Sequence, residues 1–332
     1  MSNAGSATAI AHPNIALAKY WGKREGDGNV PAVPSLSVTL AGMTTTTRVS
    51  FDATLTDDEL VLNGVLQSAN ARTKQRAAQL LDRVRAASPA FREHCARVVS
   101  TNDFPTASGL ASSASGFAAL ALASVRAAGL DWSAERVADL ARRSSASAAR
   151  SVFGGFVELD GGATSDGAAR AVAGPSALDL RVIVCVTTEA EKATSSTDGM
   201  GTTQRMSPYY AAWVADAPQS HRAMRAALLA GDFARVGELA ERSALAMHAC
   251  AMAAGIVYVT GATLAALAEV RALREAGLST WATIDAGPHL KCLVRASDVA
   301  AARARLERVP GVLRLIEATP GDGARLAPGE VP

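Results

Sequence analysis

The chain has 332 residues, 49% of them hydrophobic and 19% charged, with a formal net charge of +2. That balance excludes global disorder, and its scattered arginines, with no run of five or six, exclude an electrostatic tract for nucleic acid. The length exceeds what one hydrophobic core ordinarily organises, so two domains are expected.

Four cysteines, Cys95, Cys185, Cys250 and Cys292, form neither a C-x-x-C pair nor a Cys/His zinc spacing. No structural metal is indicated. Free buried thiols fit an intracellular compartment, so a cytoplasmic location is expected. The start lacks a basic segment ahead of an apolar run, and no stretch reaches 18 uninterrupted apolar residues. Neither a signal peptide nor a membrane span is therefore expected.

The first half-dozen residues read as a loose lead-in. Residues 44–51, T-T-T-T-R-V-S-F, are rich in β-branched residues and predict a strand. Apolar residues at helical spacing, including Ala77, Leu80, Leu81 and Val84, predict a helix over residues 70–87. A short strand is expected over 98–101 and a small-residue helix over 110–128. Ser133 is placed to cap a helix that runs to about Arg143. Residues 156–160 and 181–187 read as strands, and helices dominate from about 207 to 276. Strands at 281–284 and 290–294 flank a D-A-G-P turn. Ser297 is expected to cap a last long helix, and a strand over 312–317 closes the chain. Glycine- and serine-rich loops lie before about residue 180 and helices with short strands after it, which places a domain boundary there (1–180 and 181–332).

Four segments carry candidate chemistry. Pro105-Thr-Ala-Ser-Gly109-Leu-Ala-Ser112-Ser113 opens into a helix. Small residues admit close backbone approach, and a helix start offers free N–H groups and a positive dipole end to phosphate oxygens. The alternative is a flexible linker or a tightly packed helix. No Walker A motif is present. Lys19 and Lys23, with Tyr20 and Trp21 between them, could face a polyanion, although lysines near a terminus are ordinarily solvated. Arg150, in a serine-rich loop, offers a fork that matches a carboxylate or phosphate, or could instead cap helix-end carbonyls. Asp285 precedes a Gly-Pro turn, where an aspartate is often only a turn former.

Together and in order, these segments resemble the GHMP kinase superfamily, in detail its diphosphomevalonate decarboxylase branch. The resemblance rests on N-I-A-x-x-K-Y-W-G-K at 14–23, S-L-S-V-T-L at 35–40, T-T-T-T at 44–47 and N-x-F-P-T-A-S-G-L-A-S-S-A-S at 102–115. It continues through S-x-S-A-x-R-S at 145–151, F-G-G-F-V-E at 153–158, S-S-T-D-G-M at 195–200 and D-A-G-P at 285–288. It implies an α+β fold of two-layer sandwiches. The N-terminal domain would be of the ribosomal protein S5 domain 2-like type and bind ATP, and the C-terminal domain would be ferredoxin-like. It also implies ATP-dependent decarboxylation of mevalonate 5-diphosphate in isoprenoid biosynthesis, with Mg²⁺ ligands left open, and a homodimer.

The resemblance further implies roles, residue by residue. Asp285 would orient the substrate's 3-hydroxyl and accept its proton. Lys19 would stabilise the transferring phosphoryl group, and Arg150 would hold the C1 carboxylate. Ser147 would contact the carboxylate or the diphosphate. Tyr20 and Lys23 would bind the 5-diphosphate, with Lys192 and Ser196 at the same end. Ser108, Gly109, Leu110, Ala111, Ser112 and Ser113 would form the ATP phosphate loop, with Asn102 and Arg72 in the nucleotide pocket. Ser144, Ala146, Ala149 and His289 depart from the commonest pattern, and residues 253–259 lack a frequent Pro-Pro pair. The alternatives are a phosphomevalonate decarboxylase, a mevalonate 3-kinase, and a non-enzymatic ligand sensor of the same fold. Retention of Lys19, Arg150 and Asp285 argues for decarboxylation, and Tyr20 with Lys23 argues for a diphosphate tail.

Overall fold

Two sheets organise the chain, and the computed structural model describes residues 5–26, 28–104, 112–190 and 193–329. In chain order the strands are β1 (Ser6–Ala11), β2 (Asn14–Ala18), β3 (Ser35–Ala41), β4 (Thr45–Asp52), β5 (Glu59–Leu62), β6 (Val65–Leu66), β7 (Cys95–Asn102), β8 (Phe156–Leu159), β9 (Ala169–Ala173), β10 (Arg181–Val186), β11 (Thr280–Ile284), β12 (Leu290–Val294), β13 (Arg314–Pro320) and β14 (Arg325–Leu326). The α-helices are α1 (Arg72–Ala87), α2 (Ser112–Ala127), α3 (Ala134–Ser144), α4 (Ala148–Val152), α5 (Ser196–Met206), α6 (Tyr210–Leu229), α7 (Phe233–Met252), α8 (Gly261–Glu275) and α9 (Val299–Leu306).

One sheet has six strands in the order β14-β1-β4-β7-β5-β6. The other has eight, in the order β11-β12-β10-β13-β3-β8-β9, with β2 also paired to β3. Among the described strands only β5 and β7 pair in parallel. Helices cover mainly antiparallel sheets, the α+β arrangement expected. Strand β3 pairs with β13 at Leu40 and Ala41, so the larger sheet draws strands from both sides of residue 180.

The local rules account for most elements. Helix α1 buries Ala77, Leu80, Leu81 and Val84, the predicted stripe. Ser133 accepts from the Arg136 amide and starts α3 as expected. Helix α2 is buried on nearly every side, and its alanines let it lie close on β1 and β4. In β10, Val182, Val184 and Val186 enter the core under α6 and α7, whereas Ile183 and Cys185 enter the one under α8 and α9. Burial on both faces explains the unbroken apolar run there.

Some expectations are corrected. The loose lead-in cannot extend to residue 6, because β1 begins at Ser6 and pairs with β4 along its length. Helices begin at Ser196 rather than 207. Ser297 does not cap a long helix: a single 3-10 turn (Ala296–Asp298) leads into α9, which has eight residues and no side-chain cap. The chain does not close with the strand near 312–317, because β14 returns to pair with β1. Of the helix expected over 110–128, residues 110 and 111 lie outside the described residues.

Glycine at 155 is required by geometry. Its φ is +67°, and a Cβ there would lie 2.4 Å from the Ala173 carbonyl oxygen. The F-G-G-F motif is thus a close backbone crossing at the start of β8.

Candidate active site

Strand β3 explains how the site is anchored. Its sequence alternates, so Leu36, Val38 and Leu40 join the core under α6 and α7 while Ser35, Ser37 and Thr39 point the other way. That polar face is fully buried. Ser37 Oγ accepts from Arg150 Nε at 2.9 Å and Ser35 Oγ from Arg150 Nη1 at 3.0 Å. Asn14, the first residue of β2, accepts from Arg150 Nε at 3.3 Å and donates to Ser151 Oγ at 2.7 Å and the Ser147 carbonyl at 3.0 Å. Arg150 is therefore fixed by three polar side chains from two strands. Burial lowers its pKa to about 10, with Asp285 opposing.

Lys19 follows β2, and Asp285 follows β11. Lys19 Nζ donates to Asp285 Oδ1 at 2.6 Å and to the Ala16 carbonyl at 2.8 Å. Lys291 Nζ lies 3.2 Å from Asp285 Oδ2. The carboxylate thus has an ammonium group at each oxygen. Burial alone would raise its pKa, but Lys19 and Lys291 outweigh burial and hold it well below the usual carboxylate range. Burial brings Lys19 down to about 8, against the pull of Asp285 and with help from Lys291 and Arg150.

The D-A-G-P turn is pinned from outside. The Pro288 carbonyl accepts from Thr263 Oγ1 at 2.6 Å and Thr187 Oγ1 at 3.1 Å. His289 Nδ1 accepts from the Thr187 amide at 3.2 Å. The histidine at this departure from the family pattern therefore stabilises the turn that carries Asp285.

Lys19, Arg150 and Asp285 line one cleft of about 620 Å³. It brings together Lys19, Tyr20, Lys23, Arg72, Ser113, Ser147, Arg150, Ser196 and Asp285. Tyr20 Oη has no hydrogen-bond partner among the described residues. Lys23 donates to Asn29 Oδ1 at 2.7 Å, and burial, then the neighbouring Arg76, lowers its pKa to about 8 against the pull of Asp198. Gly22 has φ +107°, and a Cβ there would meet Tyr210 Oη at 2.1 Å, so the Y-W-G-K segment needs its glycine. Arg72 pairs with Asp198 at 3.1 Å, both exposed, linking α1 to α5.

Asn102 and Ser112 do not line this cleft among the described residues. Asn102 Oδ1 accepts from Thr45 Oγ1, which also bonds Ser115, so Asn102 helps fasten the start of α2 to β4 and β7. Lys192, Ser108, Gly109, Leu110 and Ala111 lie outside the described residues.

Sequence reasoning missed Lys291, Arg76, Arg143, Ser35 and Ser37. The available signals were a single lysine in the otherwise apolar L-K-C-L-V and the polar half of S-L-S-V-T-L. Among the described residues no three His, Cys, Asp or Glu side chains gather to hold a metal ion. No helix there is long and apolar enough to cross a membrane.

Two helix-covered sheets and a cation-rich cleft lined by Lys19, Lys23, Arg76, Arg143 and Arg150 make up the fold of the GHMP kinase superfamily. The family described as diphosphomevalonate decarboxylase-like N-terminal domain matches residues 11–171, and mevalonate 5-diphosphate decarboxylase C-terminal domain matches residues 182–314. Diphosphomevalonate decarboxylase of Candida albicans is 34% identical over 299 residues, covering 86% of this chain and 83% of the relative. Phosphomevalonate decarboxylase of Haloferax volcanii is 37% identical over 275 residues, covering 81% and 82%. The solved structure of MDDEF in complex with MVAPP, AMPPCP and magnesium superposes with a TM-score of 0.88 at 36% identity, covering 97% of this chain and 99% of that one. The chain belongs to the diphosphomevalonate decarboxylase family.

Proposed function

We propose that this chain phosphorylates the 3-hydroxyl of mevalonate 5-diphosphate with ATP and then releases CO₂, giving isopentenyl diphosphate, ADP and phosphate. The observation that carries the reading is the convergence of Asp285, Lys19 and Arg150 on one cleft. Family membership and the MVAPP and AMPPCP complex of a relative support it.

Asp285, ionised, accepts a hydrogen bond from the 3-hydroxyl and aligns its oxygen with the γ-phosphorus. Its low basicity fits a loose transition state, in which the bond from the γ-phosphorus to ADP breaks with its electron pair on ADP and the hydroxyl proton passes late to the Asp285 carboxylate. Lys19 neutralises charge on the transferring group. The new O–P bond turns the tertiary oxygen into a leaving group, and phosphate departs with the C–O electron pair. The pair of the C–CO₂⁻ bond then forms the double bond, and CO₂ leaves. Arg150 holds the carboxylate through geometry set by Ser35, Ser37 and Asn14. Ser147 lines the cleft near that carboxylate position. Tyr20, Lys23 and Ser196 face the 5-diphosphate, and Lys192 belongs to the same end in this reading.

The start of α2, with Ser113 in the cleft, suits phosphate oxygens of ATP. Mg²⁺ carried by nucleotide phosphates needs only one or two protein oxygens, and the Ser113 hydroxyl fits that demand. When bound, the ion would neutralise charge on the β- and γ-phosphates. The reading includes a nucleotide role for Arg72, a cytoplasmic homodimer, and a division into two domains near residue 180.

A second reading, a phosphomevalonate decarboxylase, is favoured by the Haloferax volcanii relative. Against it, Lys23, Arg76 and Arg143 all line the cleft, more positive charge than one phosphate requires. The test offers purified protein MgATP with mevalonate, its 5-phosphate or its 5-diphosphate, scoring ADP and CO₂. CO₂ from the diphosphate at the highest kcat/KM supports the reading, and preference for the monophosphate replaces it with the second.

A further inference from the structure

Lys291 stands in the middle of β12 among Leu290, Cys292, Leu293 and Val294 and is only 1% exposed. A buried ammonium is costly unless paired, and its partner is Asp285 Oδ2 at 3.2 Å. The pleat explains how they meet. Leu290, Cys292 and Val294 enter the core under α8 and α9, whereas Leu293 faces the core that holds Leu17 of β2 and Val236 of α7. Lys291 shares the Leu293 side, and so does its cross-strand partner Thr283, whose hydroxyl donates to the Ala16 carbonyl at 3.3 Å. Lys291 is thereby aimed at the segment that also carries Lys19.

The two lysines are not equivalent. Lys19 lines the cleft, and Lys291 does not. Only Lys19 can turn toward an incoming phosphoryl group, and when it does, Asp285 loses its 2.6 Å partner. We propose that Lys291 is a positioning residue, the resident counter-ion that keeps Asp285 ionised and oriented while Lys19 is shared with the γ-phosphoryl group. The idea rests on the function proposed above. Among the described residues, four charged or titratable groups face Asp285: Lys19 after β2, Lys291 on β12, Arg150 on α4 and His248 on α7. Burial and then Lys19 press His248 down to about 4, so it adds no charge near neutrality.

The test compares wild type, Lys291→Met, Lys291→Gln, Asp285→Asn and the Asp285→Asn/Lys291→Met double variant. Carbon-13 carboxyl NMR follows Asp285, assigned by its absence in Asp285→Asn. In Lys291→Met its titration should move up by about one pH unit or more. The kcat should fall about ten- to a hundredfold, with KM for either substrate within about threefold. The double variant should be no slower than Asp285→Asn, because the lysine acts through the carboxylate. An unmoved Asp285 titration with unchanged kcat, or a further loss in the double variant, would overturn the proposal. Should both Lys291 variants unfold, the titration in Lys19→Met decides: Asp285 still ionised well below the ordinary carboxylate range supports Lys291 as its counter-ion, and Asp285 titrating within or above that range overturns it. If no mevalonate derivative is turned over, the proposed function fails, while the carboxyl titration still decides the role of Lys291.

Discussion

Lys19 Nζ and Asp285 Oδ1 meet at 2.6 Å although 266 positions separate them in the chain. The contact exists because β2 and β11 end beside each other, tied by the Thr283 hydroxyl on the Ala16 carbonyl. The lysine and the aspartate are thus placed by sheet register, and the reaction proposed here inherits that precision.

Loss of charge at Lys19 and Lys23 should shape the alkaline limb. A lysine is charged below its pKa, and burial brings both from the ordinary value of 10.5 to about 8. Activity is therefore expected to hold below about pH 8 and to fall as pH rises through it. Bound phosphate groups raise both pKa values, so the limb in kcat should lie higher than the limb in kcat/KM. Profiles between about pH 6 and 10 check this, and a kcat/KM that stays flat above about pH 9.5 contradicts it.

Lys23→Ala should raise the KM for the phosphorylated substrate about tenfold or more with kcat little changed, since a uniform binding contact is removed. Steady-state kinetics at saturating ATP read this directly. An unchanged KM removes Lys23 from the diphosphate site.

Arg150→Lys keeps the charge and loses the planar fork that Ser35, Ser37 and Asn14 hold. A fall of about a hundredfold in kcat/KM is expected, with ADP formation less affected than CO₂ release. Equal losses in both products would place the arginine in phosphoryl transfer instead.

Gly155→Ala tests the fold alone. The added Cβ would collide with the Ala173 carbonyl at a positive φ, so a loss of about 2–4 kcal/mol is expected. Denaturant unfolding measures it, and wild-type stability would contradict the close crossing.

Part of this was legible in the sequence. Helix α1 followed from its stripe, α3 from Ser133 and β10 from its apolar run, because local periodicity decides those elements. Lys19, Tyr20, Lys23, Ser147, Arg150, Ser196 and Asp285 were singled out from the motifs, and all line the cleft. The rest depended on contacts remote in sequence. The polar face of β3 looks solvent-exposed until α4 covers it with Arg150. Lys291 looks like an interruption in a core strand until the β11–β12 register sets it beside the carboxylate six residues earlier. Asn102 carries a motif position, and its contact with Thr45, which ties it through Ser115 to α2, depends on the β4–β7 register rather than on the motif.

The most direct single measurement is the release of labelled CO₂ from carboxyl-labelled mevalonate 5-diphosphate with MgATP, by wild type and by Asp285→Asn. Wild type should release one CO₂ for each ADP formed. The variant should still bind substrate within a few-fold yet release neither product at more than about a thousandth of the wild-type rate. Normal CO₂ release by Asp285→Asn, or ADP without CO₂ from wild type, would contradict the account.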